Sequence, residues 1–311
     1  MGYELILTAP GGRTARDMTQ LSKDLSWSGS VDQTARELSV SMAVPRDGSI
    51  EPPALEEGAA LTLRLDGETR FTGPLLTVTT STQSSVVDLS ALDRGRYLVG
   101  NEGWYKFTGA PPEEVVAAMA RDYDIPVARL ASTGVPVSRK FAGVALDKII
   151  RTLYAKAGER TGKRYLVRFT GDGQLEVVER PTAASLTIAS TMGVTNTWDI
   201  TDMQNAVAIR RDTGALVRRV EDSASTALNG RLEHVIIQRD GEDAQGEASA
   251  WLAAHGLQQR LTVETLGDPR LIAGEAVILR DTGSGVSGLF WIDADTHTWK
   301  NKQYFCKVTL N

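Results

Sequence analysis

The strongest constraint on this 311-residue chain is an internal repeat of one hairpin pattern. LEEGAALTLRLDGETRFTGPLLTV starts at Leu55 and LIAGEAVILRDTGSGVSGLFWIDA starts at Leu271. Leu55 matches Leu271, Gly58 matches Gly274, Leu61 matches Val277, Leu63 matches Leu279 and Arg64 matches Arg280. A glycine-bearing turn follows in each, then Gly73 against Gly288 one residue out of step, then an apolar strand. Leu61, Leu63 and Leu65 alternate toward Asp66-Gly67, a dipeptide that favours a two-residue hairpin turn. The second copy carries Gly283, Gly285 and Gly288, which spell G-x-G-x-x-G. A dinucleotide loop must open a helix whose N-terminus holds the pyrophosphate. Here LFWIDADTHTW follows, with the alternation of a strand, so the glycines are expected to form a turn.

Around the first copy, YELILTA, ARELSVSMAVP and SSVVDLSAL also alternate, as short strands of a small antiparallel barrel or sandwich do. The texture changes near Tyr97. PPEEVVAAMARDY predicts a helix with Pro and Glu in its first turn and an apolar stripe of Val115, Val116, Met119 and Ala120. ALDKIIRTLYAKAG predicts another, with Leu146, Ile149, Ile150 and Leu153 on one face and Gly158 as its stop. KRYLVRFTGDGQLEVVER reads as a hairpin. Strands return with NAVAIRRD, ALVRRVED and LEHVIIQRD, one helix is expected in EASAWLAAHG, and QRLTVETLGD opens a final strand-rich stretch. The expected architecture is mainly β with an α+β insert. Residues 1–95 form a first β-barrel domain, 96–197 a helix-containing middle domain, and 198–311 a second, similar barrel with one helix.

Chemistry-bearing patterns are sparse. Asp293, Asp295 and His297 share one strand face, which could hold a metal. The preferred reading is a polar face flanked by Trp291 and Trp299, with His297 bonded to a neighbour, so no metal site is expected. His234 and His255 lack ligand-type neighbours at useful spacing. Glu56-Glu57 and Glu113-Glu114 are paired acids of the kind glycosidases use, but Glu113-Glu114 fits a helix N-terminus and Glu56-Glu57 a turn. No G-x-S-x-G, H-E-x-x-H or Walker loop occurs. The six tryptophans, Trp27, Trp104, Trp198, Trp251, Trp291 and Trp299, are scattered, as packing residues are. Cys306 stands alone, so intrachain disulfides and cysteine zinc sites are excluded. The net charge of −5 disfavours a sequence-independent nucleic-acid binder, and Arg210-Arg211 and Arg218-Arg219 read as solvated strand faces. No secretory leader, myristoylation signal or bilayer-length apolar run is visible, so a soluble chain in a reducing compartment is expected. Neither an active site nor a cofactor is expected.

Trp27 with Ala35-Arg36-Glu37-Leu38-Ser39, Gly58, Phe71-Thr72-Gly73, Ala91-Leu92-Asp93 with Tyr97-Leu98, Asp202 with Asn205-Ala206-Val207, Gly267-Asp268, Gly274 and Asp295-Thr296-His297-Thr298-Trp299 occur in an order that spans nearly the whole chain. In these features the chain resembles the baseplate hub proteins of contractile phage tails and tail-like particles. The PBSX-type (XkdQ-like) hubs are the nearest in pattern; the T4-type hub, late control protein D and the N-terminal part of type VI secretion spikes are more distant. The resemblance implies a non-enzymatic homotrimer in which two barrels per chain make a pseudo-sixfold ring between a hexameric tail tube protein and a trimeric spike protein. Further implied partners are tape-measure and LysM-type baseplate proteins, with no sequence-specific nucleic acid and no membrane insertion. The location implied is the bacterial cytoplasm during assembly, then the baseplate. The hairpins 66–73 and 281–288, with Asp66, Gly67, Arg70, Phe71, Asp281, Gly283, Gly285 and Gly288, are the expected contacts to a ring neighbour or the tube. A carbohydrate- or receptor-binding tail module, with Trp104 or Trp299 stacking on sugar, and a tail-associated peptidoglycan hydrolase are the alternatives.

Overall fold

Alternating apolar residues build an antiparallel sheet that joins the two ends of the chain. In the computed structural model, which describes residues 2–12, 14–45, 56–238 and 244–311, Tyr3–Thr8 pairs with Ala60–Leu65, which pairs with Glu68–Thr80. The order continues through Val86–Leu92, Glu37–Ala43 and Ser22–Ser30. Ser22–Ser30 then pairs with Val286–Lys300, and that strand with Gln303–Leu310. Leu25, Trp27, Leu38, Val40, Met42, Leu61, Leu63, Phe71 and Leu89 project into one core that also takes Trp299 and Tyr304. At about 25 cal/mol per Å² of apolar surface removed from water, these inward rows are what hold the sheet in register.

A second core belongs to the helical stretch. Helix Pro112–Asp122 starts with Pro at its first position, where the missing N–H costs nothing. It packs Val115, Val116 and Met119 against Ile149, Ile150 and Leu153 of helix Leu146–Thr161. The second helix runs through Gly158, the expected stop. Its end lies at Gly162, whose φ of 70° suits the left-handed cap that only glycine takes without strain. Gly158 is glycine for another reason: a Cβ there would lie 2.6 Å from the Lys163 carbonyl oxygen. Glu102–Ala110 and Val137–Ala145 form a two-stranded ribbon, and Tyr165–Phe169, Leu175–Glu179 and Val127–Leu130 a three-stranded sheet.

The chain divides into two compact units, residues 1–194 with 263–310, and residues 195–262 with Asn311. The second unit carries the sheet Leu216–Glu221, Ala206–Arg210 and Glu233–Ile237 under helix Ala244–Ala254, with Val207, Ile209, Ile236 and Ala248 as its core. Asn205 enters this sheet as a clamp. Its side chain accepts from Leu232 N–H at 2.8 Å and donates to the Gly230 carbonyl at 2.8 Å. The short helix Ser223–Asn229 beside it escapes the sequence reading; Asp222 caps it through Ser225 N–H. Among the described residues no helix is long and apolar enough to cross a membrane.

Candidate functional site: assembly surfaces and a buried ionic cluster

The repeat is real in three dimensions, and its details correct the alignment. Gly58 has φ 86° and Gly274 φ 94°, each two residues before a strand, Ala60–Leu65 and Ala276–Asp281. The residue after each glycine accepts from the returning strand: Leu75 N–H reaches Ala59 O at 2.9 Å and Ile292 N–H reaches Glu275 O at 3.0 Å. Leu61 pairs with Gly73 and Leu63 with Phe71, whereas Val277 pairs with Phe290 and Leu279 with Gly288. Gly288 therefore occupies the place of Phe71, and Phe290 that of Gly73. The difference arises in the turns. Asp66 and Gly67, at φ 49° and 84°, make a two-residue turn, while the second hairpin spends Thr282 to Gly285 on its turn. Both returning strands then shift register at the same point, between Leu75 and Thr77 and between Ile292 and Ala294. Such a bulge bends a strand so that one segment serves two pairings. Leu55 lies outside the described residues.

The G-x-G-x-x-G residues form the tip of this second hairpin and no helix follows them. Gly283 and Gly285 are exposed, Gly285 with φ 72°, and Gly288 is already in the strand. Asp281 holds the turn by accepting from Ser284 N–H at 2.6 Å and from Thr191 at 2.7 Å, and these bonds keep its carboxyl below the usual carboxylate range. In the first hairpin Asp66 and Gly67 are exposed, and Arg70 pairs with Glu68 at 2.6 Å. Phe71 is core, with 1% of its surface accessible, so its side chain is not available to a neighbour.

Asp293, Asp295 and His297 do not make a surface row. Asp295 and His297 are buried, in a cluster that joins three distant segments. Arg36 grips both Asp295 oxygens as a fork, with Nη1 to Oδ1 at 3.0 Å, and its guanidinium lies 4.3 Å from the Trp27 ring centre. Asp295 also accepts from Ala273 N–H at 2.6 Å. Burial would raise its carboxyl; the Arg36 charge and the His297 and Arg36 hydrogen bonds hold it below the ordinary range. His297 Nε2 faces two acceptors, Leu271 O at 3.1 Å and Asp295 Oδ2 at 3.2 Å, so this nitrogen carries the hydrogen. Tyr304 then donates to Nδ1 at 2.7 Å. The Asp295 carboxylate, the His297 ring and the Tyr304 hydroxyl are all answered within the chain, as in a structural network, whereas Arg36 Nε and Trp27 Nε1 are buried without a hydrogen-bond partner among the described residues. The expected bond from His297 to a neighbour is found, but on an inward face, and among the described residues no group of three His, Cys, Asp or Glu could hold a metal.

The remaining sequence candidates sort by burial. Glu113 is occupied: Oε1 accepts from Thr133 and Gly134 N–H at 2.9 and 3.1 Å, and Oε2 from the Thr133 hydroxyl at 2.9 Å. Burial pushes its carboxyl up, but the hydrogen bonds outweigh that and leave it low. A general acid needs the opposite shift. Trp299 is 4% exposed and stacked on Tyr304 at 4.1 Å, which removes it as a sugar platform, whereas Trp104 is 64% exposed. His234 and His255 lie flat on either face of Trp251, at 3.7 and 3.9 Å. Two of the motif residues are explained by close packing, since a Cβ on Gly73 would meet Leu92 O at 2.0 Å and one on Gly267 the Tyr304 ring at 2.1 Å, and a third, Asn205, by the hydrogen-bond clamp described above.

The YQBQ-like family model matches residues 25–311, which takes in the whole ionic cluster, both bulged strands and the Asn205 clamp. The chain belongs to the YQBQ-like family. The phage-like element PBSX protein XkdQ of Bacillus subtilis (strain 168) is 22% identical over 281 residues, covering 86% of this chain and 85% of XkdQ. Among solved structures, the tail protein from Neisseria meningitidis MC58 superposes with a TM-score of 0.77 at 16% identity, over 100% of this chain and 96% of that one. A component of the type VI secretion system of E. coli, which has structural similarity to the T4 bacteriophage tail proteins gp27 and gp5, superposes with a TM-score of 0.56 at 11% identity, over 93% of this chain and 73% of that one. The YQBQ-like chain thus has the mainly β fold of phage tail proteins.

Proposed function

We propose that this chain is a structural component of a phage tail or tail-like particle, and specifically its baseplate hub: a homotrimer that adapts a hexameric tube to a trimeric spike. The observation that carries the reading is the repeated unit of left-handed glycine, strand, hairpin and identically placed bulge, at Gly58–Thr77 and Gly274–Ala294. A chain that presents two similar hairpins supplies six around a threefold axis, which is what a threefold-to-sixfold adaptor needs. The tail-protein fold, the similarity to XkdQ and the gp27- and gp5-like relative support the same reading. In it, the division into 1–95, 96–197 and 198–311 is a barrel, a connector and a second barrel. The exposed tips at Asp66-Gly67 and Thr282–Gly285 make the ring or tube contacts. Tube, spike, tape-measure and LysM-type proteins are the partners, met in the bacterial cytoplasm and retained in the baseplate. The role needs no catalysis, in keeping with the occupied Glu113 carboxylate.

Native mass spectrometry with negative-stain class averages, on the chain alone and co-expressed with its tube and spike neighbours, tests the proposal. A trimeric ring with six lobes around a channel is expected in one or both preparations. A monomer that neither binds nor assembles with those neighbours overturns it.

A further inference from the structure

The ribbon Glu102–Ala110 with Val137–Ala145 is under-stranded: among the described strands neither member has a second neighbour. Two strands alone are at best marginally stable in water. One face of the ribbon is anchored, because Phe141 is buried in the helical core and Tyr105 and Phe107, stacked at 5.5 Å, pack against it. The opposite face is open and carries Glu102, Trp104 and Lys106 in alternation, with Trp104 64% exposed. Directly across from Lys106 stands Lys140. Like charges opposed across a strand pair repel each other. Lys140 lies 5.3 Å from the centre of the Trp104 ring, and among the described residues no carboxylate pairs with either lysine. From Trp104 to Phe107 the ladder runs without a register shift, which leaves the outer edge of that strand regular.

We propose that this ribbon is a docking edge that takes an extended, acidic segment of a partner protein as its third strand. Backbone groups on the free edge would pair with the incoming strand. Its carboxylates, two residues apart, would fall on the lysine side beside Trp104 and relieve the Lys106–Lys140 repulsion, while the alternate apolar residues would fall on the side of Tyr105 and Phe107. The chemistry favours a protein over a polyanion. Two ammonium groups beside Glu102, on a chain of net charge −5, do not make the basic stripe a nucleic acid requires. The proposal is independent of the hub reading, since failure to trimerise leaves it untouched.

The test uses the full-length protein and three probes: a capped eight-residue peptide alternating Glu and Val, its Gln-for-Glu counterpart, and an eight-nucleotide oligothymidine. Calorimetry reads affinity and tryptophan fluorescence reads location. The Glu peptide is expected to bind saturably and to weaken as salt is raised. Its fluorescence change disappears in Trp104→Phe, and its affinity falls roughly tenfold in Lys106→Gln/Lys140→Gln, whose far-UV spectrum stays unchanged. Any of four results overturns the idea: no saturable binding of the Glu peptide, equal binding of the Gln peptide, indifference to the lysine replacements, or tighter binding of the oligonucleotide.

Discussion

Arg36 and Asp295 are separated by most of the sequence, and their fork is the clearest case of a pair whose worth depends on both members. Removing one leaves the other charge buried, which typically costs about 3–5 kcal/mol, whereas removing both into apolar side chains costs far less. Arg36→Met is therefore expected to lower the unfolding midpoint in urea strongly, and Arg36→Met/Asp295→Leu to restore much of it; additive losses would show that the fork is not coupled. Asp93 behaves in the opposite sense. Burial raises its carboxyl to about 6, against the main-chain hydrogen bonds from Gly95 and Arg36. The unfolded chain ionises near the ordinary value, so this residue's contribution is complete below that value and is lost as pH rises through about 6. Asp295, held low, contributes above its unfolded value and loses that contribution in acid. Replacing Asp93 by Asn is expected to flatten the decline in stability between about pH 4 and 6, a change on the order of 2–3 kcal/mol across that window. Urea unfolding at several pH values reads it directly, and an unchanged pH profile would contradict the assignment.

The duplicated hairpins depend on backbone conformation more than on side-chain identity. Both Gly58 and Gly274 lie in the left-handed region, where a side chain costs about 1–2 kcal/mol. Gly58 has room for a Cβ, the nearest atom being Pro10 Cβ at 3.5 Å, while at Gly274 the Cβ would lie 2.6 Å from Leu166 Cδ1. Gly58→Ala should show the conformational cost alone and Gly274→Ala a larger one, in paired thermal melts. Equal losses would mean that Leu166 moves aside freely. Sequence alternation suffices to find both hairpins, because period-two burial is a local property. It does not find the bulges: an inserted residue alters pairing with a distant strand, and nothing local marks it.

For the whole molecule, the sheet that unites Ser22–Ser30 with Val286–Lys300 brings the N-terminal and C-terminal parts of the first unit into one core. The helix of residues 112–122 and most strands are legible from periodicity and turn chemistry. The placement of Trp299 is not, since a tryptophan between polar residues reads the same on either face until its strand has partners. The same holds for Asp295 and His297. Alternation sets them on one side of the strand, but whether that side meets water or Arg36 is decided by which segment lies opposite.

The sequence by itself determined the repeat, the class of fold, the three longer helices and the hairpin turns, because each follows from local spacing of apolar residues, glycine and proline. Tertiary structure alone decided that the repeat aligns Gly288 with Phe71, that Glu113 serves a loop, and that the residues Arg36, Asp295 and His297 form one buried cluster. Those outcomes rest on contacts between segments far apart in the chain. A charge buried beside its partner and a charge facing solvent are written with the same letters; the dielectric around them, and hence their energy, exists only once the chain has folded.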